Sequence, residues 1–340
     1  MAPLPSVTRF VSNNAVRIYR IPCQVFESLS ARVHLLLGAG RPTLIDSGSG
    51  LGQSAAQILA GIDAVREEFG EPVRAEDIGR IIVSHGHIDH TGGLPDLLAR
   101  MPAEVLVHPL DRGAITHYDE YLAIGTRGLK RFLQQAGVPV DRRTELLKYS
   151  PARGRKLLGV SVSGTIEDGD QFDGLRFVHT PGHSPGHLCV VVGNLILTGD
   201  HLLAHTLPHQ WPESITAYTG LGHYLESLDK LRAIPGIEAA LPAHEQVIHN
   251  FYHRIGTVRA THERKLARLL GVIREANRPL TLHEIASQTY AEVRGFRAVL
   301  AFADVGSRVE YLQQRNELAV ANWEEIERDA EAPYRYILAG

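Results

Sequence analysis

The stretch His85-Gly86-His87-Ile88-Asp89-His90 follows the apolar, β-branched run 80–83, which predicts a buried strand. If the backbone stays extended into this stretch, its first two histidines project to one side, because side chains alternate along a strand. The following turn brings Asp89 and His90 to a second position, and a helix is predicted over 91–100. Several imidazoles with one carboxylate favour a borderline transition metal over magnesium or calcium. A histidine-rich surface turn is the alternative, but four potential ligands within six residues after a buried strand argue against it.

Further histidines and aspartates follow predicted strands in the second half of the chain. The strand 175–179 leads into the tight loop Thr180-Pro-Gly-His-Ser-Pro-Gly-His187, and the strands 195–198 and 239–241 each end close to a ligand-type residue. With the first stretch, they give seven candidate metal ligands: His85, His87, Asp89, His90, His183, Asp200 and His244. Seven ligands are too many for one tetrahedral ion and suit two ions if one carboxylate bridges them.

The composition is that of a cytoplasmic globular protein. The 340 residues carry a formal net charge of −3 and give a pI of about 6.7, so no global charge attracts nucleic acid or anionic membrane. Cys23 and Cys189 are the only cysteines and give no disulfide framework. No signal peptide and no apolar run of membrane-spanning length is recognised, so a cytoplasmic location is expected.

The order of the elements predicts an α/β fold. Predicted strands and helices alternate in the first half: strands 16–22, 32–37 and 43–46, helix 51–69, strand 80–83, helix 91–100 and strand 104–107. The segment 32–46 is weakly similar to 187–200, since each has two strands around a glycine turn and ends in an aspartate. Two similar halves predict two sheets packed face to face with helices outside.

These motifs resemble the metallo-β-lactamase superfamily of dinuclear metal hydrolases over about residues 15–250, with five motifs in the family's order. The resemblance implies an αββα sandwich with Asp46 orienting a ligand from behind. It implies that one metal is held by His85, His87 and His183. It implies that the second is held by Asp89, His90 and His244, with Asp200 bridging both. Zn²⁺ is the first choice, with Fe²⁺ or Mn²⁺ as alternatives.

Two positions refine the resemblance. His87 stands where the flavodiiron oxidoreductases of the superfamily have an acid, which favours hydrolysis over oxygen reduction. The family usually reads Gly-His-Gly around its last histidine, whereas this chain has Ala243-His-Glu245. The resemblance implies that a hydroxide bound by both metals attacks a carbonyl carbon or phosphorus. Asp89 and Asp200 are then the catalytic carboxylates, and Asp89 also accepts a proton.

Two stretches are candidates for substrate contact. The segment 118–156 has helical stretches and a basic bias, so it is either a solvated helical face or a cap that attracts an anionic substrate. The loop after Asp200 is the second candidate wall, although packed or exposed loop residues are the more common finding. The side chains proposed to touch substrate are Arg142, Arg143, His205, His209, Trp211 and Tyr218.

The character of the chain changes after residue 250. The expected organisation is a catalytic domain over 1–250, with 118–156 inserted as a helical cap, and a domain over 254–340. Three predicted helices and a short β element resemble a winged-helix appendage, which suggests nucleic-acid binding. The third helix, 296–315, is nearly neutral, so packing on the catalytic domain or on a second subunit of a homodimer is favoured.

The favoured function is hydrolysis of a thioester, ester or lactone, a small-molecule carbonyl substrate. The alternatives are an endoribonuclease or phosphodiesterase with the same metal centre, and a non-catalytic metal-binding regulatory protein. The glutathione-binding helices of glyoxalase II are not recognised, which argues against that substrate. The complete ligand set disfavours the regulatory protein, and the acidic overall charge disfavours the nuclease.

Overall fold

Two β-sheets carry the predicted ligands. The structure, a computed structural model, describes residues 4–149, 159–290 and 293–340. The strands of the first sheet lie in chain order: β1 (Thr8–Val11), β2 (Arg17–Phe26), β3 (Leu29–Leu37), β4 (Thr43–Ile45), β5 (Arg80–Ile82), β6 (Glu104–Val107) and β7 (Gly164–Thr165). Pairing is antiparallel from β1 to β4 and parallel from β4 to β7.

The second sheet has the order β12-β11-β10-β9-β8. Its strands are β8 (Gln171–Phe172), β9 (Leu175–His179), β10 (Leu188–Val192), β11 (Leu195–Gly199) and β12 (Ala239–Pro242). Only the β11–β12 pair is parallel among these described strands. Apolar side chains of the two sheets, such as Leu36 and Ile82 from the first and Phe177 and Val190 from the second, share one buried cluster. The two sheets therefore pack face to face, and the α/β class predicted from the sequence is confirmed.

Helices connect the strands and form most of the remaining chain. They are α1 (Ser54–Phe69), α2 (Ile88–Thr91), α3 (Leu94–Leu98), α4 (Arg112–Thr116), α5 (Tyr118–Gln135), α6 (Val140–Leu146), α7 (Leu221–Arg232), α8 (Phe251–Ala276), α9 (Leu282–Thr289), α10 (Phe296–Gln314) and α11 (Trp323–Arg328). Short 3₁₀ helices cover Ala75–Asp77, Pro109–Asp111 and Leu147–Tyr149. The helical spacing of Ile58, Ile62 and Val65 lets α1 pack on the outer face of the first sheet. Within the described residues, no helix is long and apolar enough to cross a membrane.

The helix expected over 91–100 differs from the prediction. It begins earlier, at Ile88, so that Asp89 and His90 lie on α2, and it is interrupted at Gly92-Gly93. A Cβ atom on Gly93 would lie 1.9 Å from the Ser47 carbonyl oxygen, and the Gly93 amide donates to the Gly48 carbonyl at 3.0 Å. The glycines therefore allow the loop after β4 to contact this turn directly.

The chain divides into two compact units. The first comprises Met1–Tyr118, Leu157–Pro208 and Ser227–Ile255, and the second comprises Asp119–Lys156, His209–Glu226 and Gly256–Gly340. The proposed cap over 118–156 thus belongs mostly to the same unit as the C-terminal segment, and its residues 150–156 lie outside the described part. The domain boundaries given above stay a prediction.

The second unit contains a small antiparallel sheet with the order β13-β15-β14, formed by β13 (Leu280–Thr281), β14 (Leu318–Val320) and β15 (Arg335–Leu338). The predicted capping box opens α9, because the Thr281 side chain accepts from the Glu284 amide and the Glu284 carboxylate accepts from the Thr281 amide. Arg308 on α10 is buried and pairs with Asp304. Ten residues of α10 are buried, so this helix packs within the second unit, whereas the winged-helix resemblance stays a prediction.

Candidate metal centre

The seven predicted ligands converge in the first unit, just beyond the carboxyl ends of four strands. His85 and His87 follow β5, with α2 directly after them; His183 follows β9, Asp200 follows β11 and His244 follows β12. Their potential ligand atoms form two groups, and within each group these atoms lie within 4.8 Å of one another. The groups are His85, His87 and His183, and Asp89, His90, Asp200 and His244.

The first group consists of three imidazoles. His85 and His183 are almost completely buried, at 0% and 2% exposure, and His85 Nε2 lies 3.0 Å from His87 Nδ1. Burial lowers the pKa of His85 well below its usual value, and the neighbouring histidines lower this pKa further. A neutral imidazole is the form that binds a metal.

The second group pairs two carboxylates with two imidazoles. His244 Nε2 lies 3.3 Å from Asp89 Oδ2 and 3.5 Å from Asp200 Oδ1, and His90 Nε2 lies 3.6 Å from Asp200 Oδ2. The same Asp200 oxygen is 3.7 Å from His183 Nε2 in the first group. Asp200 therefore faces both groups, as a bridging carboxylate would.

Asp46 connects ligands of both groups from behind. It is 2% exposed, and its carboxylate accepts from Ser84 N at 2.7 Å, Ser84 Oγ at 2.8 Å and His90 Nδ1 at 2.8 Å. Since the Ser84 hydroxyl donates to Asp46, its oxygen accepts from His85 Nδ1, 3.1 Å away. These bonds place the Nδ1 protons of His85 and His90 away from the cluster, so both Nε2 atoms are available as ligands.

Two other contacts orient ligands. His244 Nδ1 donates to the Ser30 carbonyl at 2.8 Å. His187 accepts from the Asp200 amide at 3.2 Å, and its Nδ1 bonds to Thr180 Oγ1 at 2.8 Å. Sequence reasoning gave His187 no role, although it lies in the same loop as His183. Its position in the histidine-containing loop 180–187 is the only feature of the sequence that could have indicated this role.

The donor atoms fit a divalent metal site. Within the described residues, His90 Nε2, His244 Nε2 and Asp200 Oδ1 are buried without a hydrogen-bond partner. Burial alone would raise the pKa of Asp200, but His244 and His90 hold it well below its usual value. A buried carboxylate and imidazole nitrogens that lack hydrogen bonds are costly unless a cation lies between them.

Glu245 occupies the position where the resemblance leads us to expect glycine. Its φ is 63°, in the left-handed region that favours glycine. Its carboxylate accepts from His205 N at 2.6 Å and from Thr206 Oγ1 at 2.7 Å. The side chain therefore anchors the loop after Asp200 to the turn that carries His244.

The residues proposed to touch substrate lie in both units. His205 belongs to the first unit and is exposed. The others belong to the second: His209, Trp211, Tyr218, Arg142 and Arg143. Arg142 there donates to Glu145 at 2.6 Å and to the Val293 carbonyl at 2.9 Å. Substrate contact by these six side chains stays a prediction.

Comparisons with known proteins identify the family. A family model of the metallo-beta-lactamase superfamily matches residues 29–244. An atrochrysone carboxyl ACP thioesterase of Emericella nidulans is 30% identical over 249 residues, covering 67% of this chain and 60% of that protein. The atrochrysone carboxyl ACP thioesterase AacuM of Aspergillus aculeatus is 27% identical over 282 residues, covering 78% of this chain and 73% of that protein.

Solved structures show the same fold. A metallo-beta-lactamase family protein of Thermus thermophilus gives a TM-score of 0.73 at 23% identity, covering 94% of this chain and 98% of the other. A beta-lactamase domain protein of Burkholderia ambifaria gives 0.68 at 19% identity, covering 99% and 97%. At these identities, the likeness shows the fold alone. With the family match over 29–244 and the clustered histidines and aspartates, the chain belongs to the metallo-β-lactamase superfamily, as a metal-dependent hydrolase.

Proposed function

We propose that this chain hydrolyses a carbonyl substrate, a thioester, ester or lactone, with a thioester as the first choice. The observation that carries the proposal is the pair of adjacent ligand groups, with Asp200 of the second group also facing His183 of the first. The thioester is supported by relatives named as thioesterases, at 25–30% identity. Hydrolysis adds water across the bond between the carbonyl carbon and its sulfur or oxygen, and releases a carboxylic acid with a thiol or alcohol.

In this proposal the first group would hold one divalent ion and the second group another, with Asp200 close to ligands of both groups. Zn²⁺ is the first choice, with Fe²⁺ or Mn²⁺ as alternatives, because such ligand sets discriminate poorly among these ions. When bound, two such ions would activate water and polarise the carbonyl oxygen.

The chain's own residues orient the ligands and accept the proton. Asp46 and the Ser30 carbonyl fix the imidazole tautomers of His90 and His244. Asp89 would help hold the second ion and would accept a proton from the water. Burial would raise the pKa of Asp89, but His90 and His244 lower it to about 2, so the carboxylate is ionised at neutral pH. The sheets keep these groups fixed, because each ligand lies near the end of a buried strand or on the helix that directly follows one.

One substrate panel tests the proposal. Protein loaded with Zn²⁺ is assayed against an acyl thioester of N-acetylcysteamine, a lactone and single-stranded RNA. The control is the Asp173→Asn variant, because Asp173 belongs to neither ligand group. We expect thioester cleavage that chelation abolishes and Zn²⁺ restores. Cleavage of RNA without any carbonyl substrate would contradict the proposal and favour the endoribonuclease.

The proposal also covers the class of partner. The substrate is a small molecule in this account, and nucleic acid is not favoured, since the buried Arg308 on α10 pairs with Asp304. A homodimer and a cytoplasmic location are further parts of the proposal.

A further inference from the structure

Asp111 is a buried carboxylate that sequence reasoning missed. It is 1% exposed and ends the 3₁₀ helix Pro109–Asp111, directly before α4. It is the N-cap residue of α4, a position where aspartate usually bonds to the amides of its own helix, yet its side chain makes no such cap. Its oxygens instead bind groups that are distant in sequence.

The Asp111 carboxylate joins the two loops that carry the first ligand group. Oδ2 accepts from the Gly86 amide at 2.8 Å and from Ser184 Oγ at 3.1 Å, and Oδ1 accepts from the Gly186 amide at 2.9 Å. Gly86 lies between His85 and His87, and Ser184 directly follows His183. One side chain therefore bonds next to all three imidazole ligands.

The two glycines are required for this arrangement. A Cβ atom on Gly186 would lie 2.8 Å from Asp111 Cγ, and one on Gly86 would lie 3.3 Å from the same atom. A side chain at Gly186 would thus collide with the carboxylate, and one at Gly86 would collide with Ala114 Cβ at 2.9 Å and crowd the carboxylate. Gly86 lies within the His85-Gly86-His87 motif, and Gly186 lies within Pro185-Gly186-His187. Both glycines contact Asp111, which lies outside these motifs.

No cationic side chain compensates the charge of Asp111 within the described residues. Burial raises the pKa of its carboxyl, and only the bonds from Gly186, Gly86 and Ser184 lower it. A buried carboxylate without a cationic partner carries a desolvation cost, which the three hydrogen bonds from the two ligand loops must offset. The position of this carboxylate between two ligand loops indicates its role.

We propose that Asp111 is a positioning residue, which sets the spacing between the His85/His87 loop and the His183 loop for metal binding. The inference rests on the proposed metal centre. Fixing the Gly86 peptide keeps His85 and His87 on one side of the extended backbone, and fixing Ser184 and Gly186 holds His183 against them. Asp111 itself touches neither the metal nor the substrate.

The test compares Asp111→Asn with Glu71→Gln. Glu71 is a matched control, because it is also a buried carboxylate that accepts several hydrogen bonds, from Arg17 and Tyr19, but it joins no ligand loop. In Asp111→Asn, one acceptor becomes a donor that faces an N–H or O–H group. Zn²⁺ affinity is measured by competition with a chelator, and the unfolding of the metal-free protein by urea.

We expect Asp111→Asn to weaken Zn²⁺ binding by about tenfold or more, the usual size of such effects behind a ligand. Glu71→Gln should leave the affinity unchanged, even where it lowers the stability of the metal-free protein. Equal affinities in wild type and Asp111→Asn would overturn the inference, and a loss of metal-free stability alone would show a structural role only. If wild-type protein binds no metal, the proposed function fails as well.

Ser184→Ala provides a second variant in case Asp111→Asn does not fold. It removes one donor to Asp111 and leaves the carboxylate and both glycine amides in place. A smaller loss of Zn²⁺ affinity in the same direction supports the inference. Unchanged affinity in a folded Ser184→Ala protein, with Asp111→Asn unfolded, would assign the carboxylate to folding and overturn it.

Discussion

Replacing Asp46 with asparagine tests how the chain controls its imidazole ligands. Asparagine matches aspartate in shape and tolerates the left-handed backbone of this position, where φ is 70°. Alanine would add strain of about 1–2 kcal/mol at such a φ and would confuse the result. The asparagine variant therefore changes the hydrogen bonds with little effect on the backbone.

The expected magnitude follows from the bonds that are lost. Asp46 accepts from Ser84 N, Ser84 Oγ and His90 Nδ1, all within 2.8 Å. In asparagine, an NH₂ group replaces one of the two carboxylate oxygens, so it faces either the Ser84 amide or the Ser84 hydroxyl and His90 Nδ1. If the NH₂ group donates to His90 Nδ1, the imidazole proton must lie on Nε2, the atom proposed to bind the metal. One unmade buried bond costs about 1–3 kcal/mol. Since 1.4 kcal/mol is about tenfold, we expect Zn²⁺ affinity and turnover to fall about 10- to 100-fold.

The assay is Zn²⁺ competition together with thioester turnover at saturating metal. Asp173→Asn is the matched control, because Asp173 also has a positive φ, at 54°, and pairs with Arg80 rather than with a histidine ligand. The control should retain wild-type affinity. Equal affinity and turnover in Asp46→Asn and wild type would refute the reasoning that Asp46 sets the tautomers.

Three further predictions address other parts of the chain. Asp200→Ala should abolish hydrolysis and reduce metal content while circular dichroism stays native, because Asp200 is not part of the apolar clusters that stabilise the two sheets. Full turnover in a folded Asp200→Ala protein would count against the site. Glu245→Gly should keep the metal content, because glycine adopts the left-handed backbone without strain, but it should raise KM, because it frees the His205–Thr206 loop. An unchanged KM would show that this loop does not contact substrate. Truncation at residue 253 should cause aggregation, because it removes most of α8 and the C-terminal helices that bury Leu133. Light scattering measures this, and a monodisperse product would contradict the prediction.

Local patterns predicted several strands and the candidate ligands that the structure brings together. Strands 104–107 and 175–179 were expected and are observed with these bounds, because β-branched and apolar runs between turns have few alternatives. The candidate ligands could be predicted because imidazoles and carboxylates recur beside predicted strands. These features depend on residues that are close in sequence.

The features that were missed depend on contacts between distant residues. Asp111 and Gly186 are 75 positions apart, so no spacing rule connects them. The break of the helix at Gly92-Gly93 depends on the backbone at Ser47, which only the folded chain brings into contact. The positive φ of Glu245 is likewise stabilised by contacts with the loop at Thr206. Tertiary packing, rather than local propensity, decided these positions.

The central claim is that the two ligand groups hold two metal ions in each chain. The most direct measurement is the ratio of metal to protein after loading with Zn²⁺ and removal of the excess by gel filtration. The account predicts a ratio of about two, as expected for seven ligands with one shared carboxylate. A ratio of one or less in folded, fully loaded protein would contradict it.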